Sequence, residues 1–367
     1  MQKIKVGITQ GDINGVGYEV IFKTFENEEM LGLCTPVIYG SPKVAIYHRN
    51  ACGIQTNFNI VATGSEARDG QVNMVNCFGE KEIKIEFGKP TEDAGNAAFV
   101  ALERAVKELG EGKIDVLVTA PINKNTIQRP DFQFPGHTEY IEQRAGNGQK
   151  ALMILASERM RVALVTTHLP VSQIAQHITK EAIIEKLEIL QQSLRRDYAI
   201  DNPRIAVLAL NPHCGDGGLL GTEEKDIIQP AIVECFKKGI RCFGPYAADG
   251  FFGTGNYQRF DAILAMYHDQ GLAPFKALTM DDGVNYTAGL PVIRTSPDHG
   301  TAYDIAGKNE ADPSSFRQAI YAAIDIFRNR QRFDQAEAHP LRKQYYEKRD
   351  DSDKLKLDQA DDDTDNG

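Results

Sequence analysis

The sequence predicts an α/β protein built on a mostly parallel sheet with helices on both faces. Short runs that are apolar throughout alternate with segments whose apolar residues recur at helical spacing. Strands buried on both faces read as continuous apolar runs, and helices between them favour parallel crossovers. The length of 367 residues, 42% hydrophobic and 25% charged, supplies enough apolar side chain for two domains of ordinary size or one large one.

Residues 3–9 read as the first strand, on Ile4, Val6 and Ile8, and residues 35–39 as the second. Ser41 and Pro42 then form an N-cap and first-position pair that opens a helix. Residues 91–109 place Ala94, Ala98, Ala101, Leu102, Ala105 and Leu109 on one helical face. Residues 115–119 are a buried-type strand that stops at Ala120-Pro121. Residues 181–194 form an amphipathic helix on Ile183, Ile184, Leu187, Leu190 and Leu194. Residues 205–210, 262–266 and 292–294 are further strands, and residues 314–328 the last core helix.

The net charge of −10 is concentrated at one end, because residues 350–367 hold eight Asp and two Lys. The remaining body is near neutral, which argues against a nucleic-acid surface. The acidic end reads as a solvated tail. No apolar run approaches the ~18 residues of a membrane span. The first residues lack the pattern of a secretory signal, so a cytoplasmic protein is expected. The six cysteines form no Cys-x-x-Cys pair and are expected to be reduced.

Ligands in open α/β sheets bind beyond the carboxyl ends of strands. His168, His213 and His268 each follow such a strand. Three neutral imidazoles around an open position suit a divalent metal, brought together by folding or by assembly of two subunits. Each taken singly also suits an ordinary loop histidine held by hydrogen bonds. Lys276, Asn285 and Arg294 form a candidate anion-binding group. Gly136-His137-Thr138 precedes an expected helix from Glu139, whose start offers free N–H groups. The alternative there is a simple N-cap at Thr138. Two glycine-rich loops, 11–17 and 215–218, match neither a Rossmann fingerprint nor a phosphate loop.

At these residues the chain resembles the 4-hydroxythreonine-4-phosphate dehydrogenase family of vitamin B6 biosynthesis. The resemblance runs from the first strand to about residue 330. It is carried by Phe134-Pro135-Gly136-His137-Thr138-Glu139, Thr166-Thr167-His168-Leu169-Pro170, Leu210-Asn211-Pro212-His213 and Gly221-Thr222-Glu223-Glu224. Ala265-Met266-Tyr267-His268-Asp269-Gln270-Gly271, Gly289-Leu290-Pro291, Ile293-Arg294-Thr295-Ser296 and Asp298-His299-Gly300-Thr301-Ala302 complete it.

The resemblance implies that His168, His213 and His268 hold one divalent metal per active site: zinc, magnesium or cobalt. It implies that His137, Thr138, Lys276, Asn285 and Arg294 bind substrate, with Lys276 also a candidate base. It implies a homodimer with the site at the subunit interface. The fold implied is similar to isocitrate and isopropylmalate dehydrogenases, with two α/β domains around a cleft. The first domain would take residues 1–130 with 290–345 and the second 131–289, leaving 346–367 as the tail. His299, Gly300 and Ala302 correspond to a cofactor loop, which implies NAD or NADP. The implied reaction oxidises 4-phosphohydroxy-L-threonine to a β-keto acid that decarboxylates to 3-amino-2-oxopropyl phosphate. The alternatives are a paralogue acting on 4-phosphoerythronate or 4-phosphothreonate, or a metal-dependent lyase or hydrolase that uses no nucleotide. One segment departs from the family pattern Gly-Asp-Pro-Ala-Gly-Ile-Gly-Pro-Glu. Here it reads Gly11-Asp12-Ile13-Asn14-Gly15-Val16-Gly17-Tyr18-Glu19, without either proline, and a less rigid loop is expected.

Overall fold

The computed structural model describes residues 3–130, 132–279 and 282–338. The acidic tail foreseen at 346–367 lies outside them. Among the described residues, strands β1 (Ile4–Thr9), β2 (Cys34–Gly40), β3 (Phe58–Val61), β4 (Val72–Asn76), β5 (Val116–Thr119) and β6 (Leu152–Ala156) come first. They are followed by β7 (Arg161–Leu164), β8 (Ile205–Leu208), β9 (Cys242–Tyr246), β10 (Ala262–Ala265), β11 (Val284–Ala288) and β12 (Arg294–Pro297). The helices are α1 (Gly17–Phe25), α2 (Glu29–Leu33), α3 (Pro42–Cys52), α4 (Glu92–Gly110), α5 (His137–Ala145) and α6 (Ile174–His177). Then come α7 (Lys180–Arg196), α8 (Gln229–Lys237), α9 (Ala248–Gly253), α10 (His268–Thr279) and α11 (Ser314–Ala338). No helix among the described residues is long and apolar enough to cross a membrane.

All twelve strands form one sheet in the order β3-β4-β2-β1-β5-β12-β11-β6-β7-β10-β8-β9. Strands β3 to β12 in that order are mutually parallel, and so are β7, β10, β8 and β9. The mostly parallel α/β sheet read from the sequence is therefore present. The direction reverses in the middle, where β11 is antiparallel to both β12 and β6, and β6 to β7. Strands from residues 4–119 and 294–297 occupy one side of this reversal, and strands from 152–288 the other.

Local chemistry explains the elements. Ser41 caps α3, accepting from Val44 N, with Pro42 in the first turn. Thr91 and Thr179 cap α4 and α7 in the same way. Three boundaries differ from expectation. The strand expected at 292–294 begins only at Arg294, because Gly289 at φ +82° and Pro291 shape the turn out of β11. The helix expected from Glu139 starts at His137 with Gly136 as its cap, so Thr138 lies inside the first turn. The last helix runs ten residues further than expected, to Ala338.

That extension carries Arg330, which is buried. Its Nε donates to Asp197 Oδ1 at 2.7 Å, and its Nη2 to the Tyr286 hydroxyl at 2.8 Å. Its Nη1 donates to the carbonyls of Leu290 and Pro291 at 3.0 and 3.1 Å. Asp197 also accepts from Ser193 and from Tyr286. One guanidinium thus ties α7, α11, β11 and the turn before β12 together. Replacing Arg330 by Met leaves the Asp197 carboxylate buried and uncompensated. The variant is expected to lose about 3–5 kcal/mol of unfolding free energy in urea, and Asp197→Asn in the same background to recover part of it.

His48, 1% exposed, donates from Nε2 to the carbonyl of Ile13 at 2.7 Å, while Nδ1 is buried without a partner. Burial pushes its pKa down to about 4. The unfolded chain protonates this ring below about 6.5 and the native chain only near 4. The unfolded state therefore binds more protons between these values, and stability falls as the pH drops through that window. The His48 share amounts to about 3 kcal/mol below pH 4. In His48→Gln the acid slope of stability between pH 6.5 and 4 is expected to flatten by that amount in urea titrations at stepped pH.

Candidate active site

The site grows from the face of the central strands. Register places Arg294 beside Leu117 of β5 and Thr287 of β11, and Asn285 beside Ser296. Pleating puts Thr119, Arg294, Thr287 and Asn285 on one face. Arg294 is 4% exposed. Its Nε and Nη2 both donate to Thr119 Oγ1, at 3.0 and 2.6 Å, and Nη1 donates to Thr287 Oγ1 at 3.3 Å. Burial lowers its pKa to about 10, so it stays charged at neutral pH. No carboxylate among the described residues forms an ion pair with it. A buried cation without a counter-ion is costly, and an anionic ligand would offset that cost.

The start of α5 lies over this guanidinium. Arg294 Nη2 is 3.2 Å from His137 Nδ1. A guanidinium only donates, so Nδ1 accepts and the proton sits on Nε2. Burial, with Arg294 and Lys124, pushes the His137 pKa well down and keeps the ring neutral. His137 Nε2 is buried with no partner, an unspent donor suited to an oxyanion. Thr138 Oγ1 lies 3.5 Å from Thr287 Oγ1. Asn285 Oδ1 is buried and also unpartnered, an acceptor suited to an ammonium or hydroxyl group.

Of the three expected metal histidines, two come together. The rings of His168 and His268 stand 6.0 Å apart between centroids. His268 Nδ1 is 2.7 Å from Asp269 Oδ1, an arrangement that fixes the tautomer and leaves Nε2 for a ligand. His168 has Lys124 Nζ 3.3 Å from its Nε2 and Glu139 Oε1 3.9 Å from its Nδ1. His213 borders a cavity of about 540 Å³ with Asn211, Tyr267 and Gln270. It begins a left-handed stretch, with φ of 51°, 54°, 78°, 44° and 67° from His213 to Gly217. Glu224 holds the approach to it, accepting from Leu210 N at 2.8 Å and Asn211 N at 2.7 Å. Among the described residues of one chain, no three His, Cys, Asp or Glu side chains converge to hold a metal. The donor chemistry of His168 and His268 nonetheless fits a divalent cation.

Lys276 pairs with Asp298, Nζ to Oδ1 at 3.2 Å, and so meets the expected cofactor loop. Burial raises the Asp298 pKa and Lys276 opposes it. His299 Nδ1 lies 2.9 Å from the Gly300 carbonyl, and its Nε2 is buried without a partner, an atom that a bound nucleotide could satisfy. Ala302 takes a left-handed φ of 44°. This loop packs on the divergent one: Val16 N donates to Thr301 O at 3.1 Å, and Tyr303 donates to Asp12 Oδ2 at 2.7 Å. A Cβ at Gly15 would sit 2.6 Å from Thr301 O, so only glycine fits there.

The divergent loop is not left slack. Asn14 donates to Lys89 O and Thr91 Oγ1, at 2.8 and 3.0 Å, and accepts from Glu86 N at 2.7 Å. Tyr18, in the place of the second proline, donates to Gln10 Oε1 at 2.6 Å. Sequence reading missed Thr119, Thr287, Glu224, Asp298 and Lys124. Lys124 was within reach, since it follows the carboxyl end of an expected strand as the histidines do.

Fold and site place the protein in a class: α/β proteins whose sheet face carries a buried cage suited to a small anion. The chain belongs to the pyridoxal phosphate biosynthetic protein PdxA family, whose model matches residues 32–323. A Bacteroides thetaiotaomicron protein named 4-hydroxythreonine-4-phosphate dehydrogenase is 68% identical over 361 residues, covering 98% of this chain and 99% of its own. One of the same name from Sulfurihydrogenibium sp. is 39% identical over 327 residues, covering 89% and 99%. The crystal structure of 4-hydroxythreonine-4-phosphate dehydrogenase from Klebsiella pneumoniae matches with a TM-score of 0.77 at 32% identity, covering 89% of this chain and 98% of that one. The family read from the sequence motifs is thus confirmed.

Arg294→Met removes a buried charge that forms no ion pair among the described residues, with only the field of Glu139 to offset it. The ligand-free variant is expected to match the wild type in stability or exceed it by about 1 kcal/mol. Inorganic phosphate is expected to raise the melting temperature of the wild type and not that of the variant. Thermal and urea unfolding with and without phosphate check both, and a ligand-free variant weaker by several kcal/mol contradicts the reading.

Proposed function

We propose that this chain is a 4-hydroxythreonine-4-phosphate dehydrogenase that uses NAD or NADP and a divalent metal. It oxidises the secondary alcohol of 4-phosphohydroxy-L-threonine, and the resulting β-keto acid loses CO2 to leave 3-amino-2-oxopropyl phosphate. The observation that carries this is the buried Arg294, which forms no ion pair among the described residues, beneath the unspent Nε2 donor of His137, in a chain whose relatives bear that name. Arg294, His137 and Thr138 bind an oxyanion of the substrate. Asn285 Oδ1 accepts from its ammonium or hydroxyl group. His168, His213 and His268 are the metal ligands, with His213 reaching the shared site across a homodimer. His299, Gly300 and Ala302 receive the nucleotide.

When bound, the nicotinamide supplies a hydride acceptor and the metal lowers the pKa of the alcohol. The protein moves the proton. Lys276 Nζ hands a proton to Asp298 Oδ1 and, so freed, takes the hydroxyl proton as the carbonyl forms. Asp298 suits that task because burial raises its pKa beside the lysine. We read the two sides of the sheet, 1–130 with 290–345 and 131–289, as two domains whose cleft holds these groups.

The test follows NADH or NADPH absorbance with 4-phosphohydroxythreonine. Turnover is expected to need nucleotide, to stop with a chelator, and to fall about 10²–10⁴-fold in kcat for Lys276→Ala. Product formed without nucleotide points to a lyase or hydrolase. Faster oxidation of 4-phosphoerythronate or 4-phosphothreonate reassigns the substrate.

A further inference from the structure

We propose that Lys124 is a displaceable cation. In the ligand-free enzyme it holds the lone pair of His168 Nε2, and once a divalent cation takes that lone pair it turns to bind an oxyanion of the substrate. This rests on the reading of His168 and His268 as metal ligands.

Lys124 Nζ lies 3.3 Å from His168 Nε2. An ammonium has no acceptor, so the lone pair of Nε2 must point at it and the ring proton must sit on Nδ1, toward Glu139. A metal ligand presents the same lone pair. An ammonium and a divalent cation cannot share it, so each metal ion that binds releases one lysine charge into the site.

The released charge has somewhere to go. No carboxylate among the described residues forms an ion pair with Lys124, whereas Lys276 is already paired with Asp298. Lys124 is exposed, on the loop just past β5. A Cβ at Gly136 would lie 4.0 Å from Lys124 Cε and 3.6 Å from Glu139 Oε2, so the carboxylate that faces His168 Nδ1 also borders this path. Gly136 caps α5, so rotation about the side-chain bonds carries Nζ toward the free N–H groups of His137 and Thr138 and the unpartnered His137 Nε2. An oxyanion held there would meet Arg294 from the sheet and Lys124 from the loop. Metal and substrate would then bind in a favoured order, because the first makes the second cation available.

The two roles predict opposite effects of one substitution. Zinc ion alone, titrated calorimetrically into the dimeric enzyme without substrate or nucleotide, is expected to bind Lys124→Met about tenfold more tightly than the wild type. Lys124→Arg keeps a competing donor and should stay near the wild type. At saturating zinc and nucleotide, Lys124→Met should raise the substrate KM about tenfold and change kcat much less. Loss of competitive inhibition by inorganic phosphate in this variant identifies the substrate phosphate as the oxyanion, and unchanged inhibition identifies the carboxylate. A merely structural lesion would weaken zinc and lower kcat together. Unchanged or weaker zinc binding by Lys124→Met overturns the proposal while leaving the metal reading intact. Failure of the wild type to bind zinc removes the metal reading and this proposal with it.

Discussion

Arg294 holds a full positive charge in a nearly closed position, hydrogen-bonded only to hydroxyl and imidazole groups, with the Glu139 carboxylate near but not in ion-pair contact. Neutral dipoles reduce the cost of that burial but do not cancel the charge. Much else in the site follows from this. Thr119 and Thr287 offer the guanidinium accepting oxygens that carry no charge of their own. His137 stays neutral because burial, and after it the guanidinium and Lys124, disfavour a second cation there, and its one proton sits on Nε2, away from Arg294. The strands that present these groups must be fully buried, which is what makes an anion bound there hard for water to screen.

Much of this was legible in the residues. Apolar runs and capping residues gave strands and helices close to their observed bounds, because both signals are local. The reversal at β11 was not legible, since nothing in a strand's own sequence tells the direction of its neighbour. That reversal limits the rule that ligands lie beyond strand carboxyl ends. His168 and His268 stand where it points, while Arg294, Thr287 and Asn285 lie on the sheet face. Arg330 was missed because residues 329–338 continue a helix whose apolar spacing fades, and its partners Asp197 and Tyr286 are far away in sequence. The convergence of His213 with the other two histidines was read from shared context, and one chain does not supply it.

The loop from Gly11 to Glu19 shows how one constraint replaces another. Proline restricts φ and so limits the unfolded chain, while a buried side-chain hydrogen bond favours the folded one. Here Ile13 and Tyr18 stand where the family pattern has prolines. Ile13 gives its carbonyl to His48, and Tyr18 gives its hydroxyl proton to Gln10. Asn14 fastens the turn to residues 86, 89 and 91. Local order is thus exchanged for contacts with distant segments, Asn14 alone reaching 77 residues along the chain to Thr91.

These contacts also join the loop to the chemistry. Asp12 accepts from Tyr303, and Gly15 admits the Thr301 carbonyl, so loop 299–303 rests on loop 11–17. The same loop begins at Asp298, which pairs with Lys276 on α10, and α10 begins at His268. A shift of the first loop would therefore be felt at the lysine and then at the histidine pair through one continuous set of packed groups. Helix α11 closes the other side, with Arg330 holding the turn from which Arg294 emerges. The buried guanidinium keeps its place because chain segments at both ends of the sequence fix the strand that carries it.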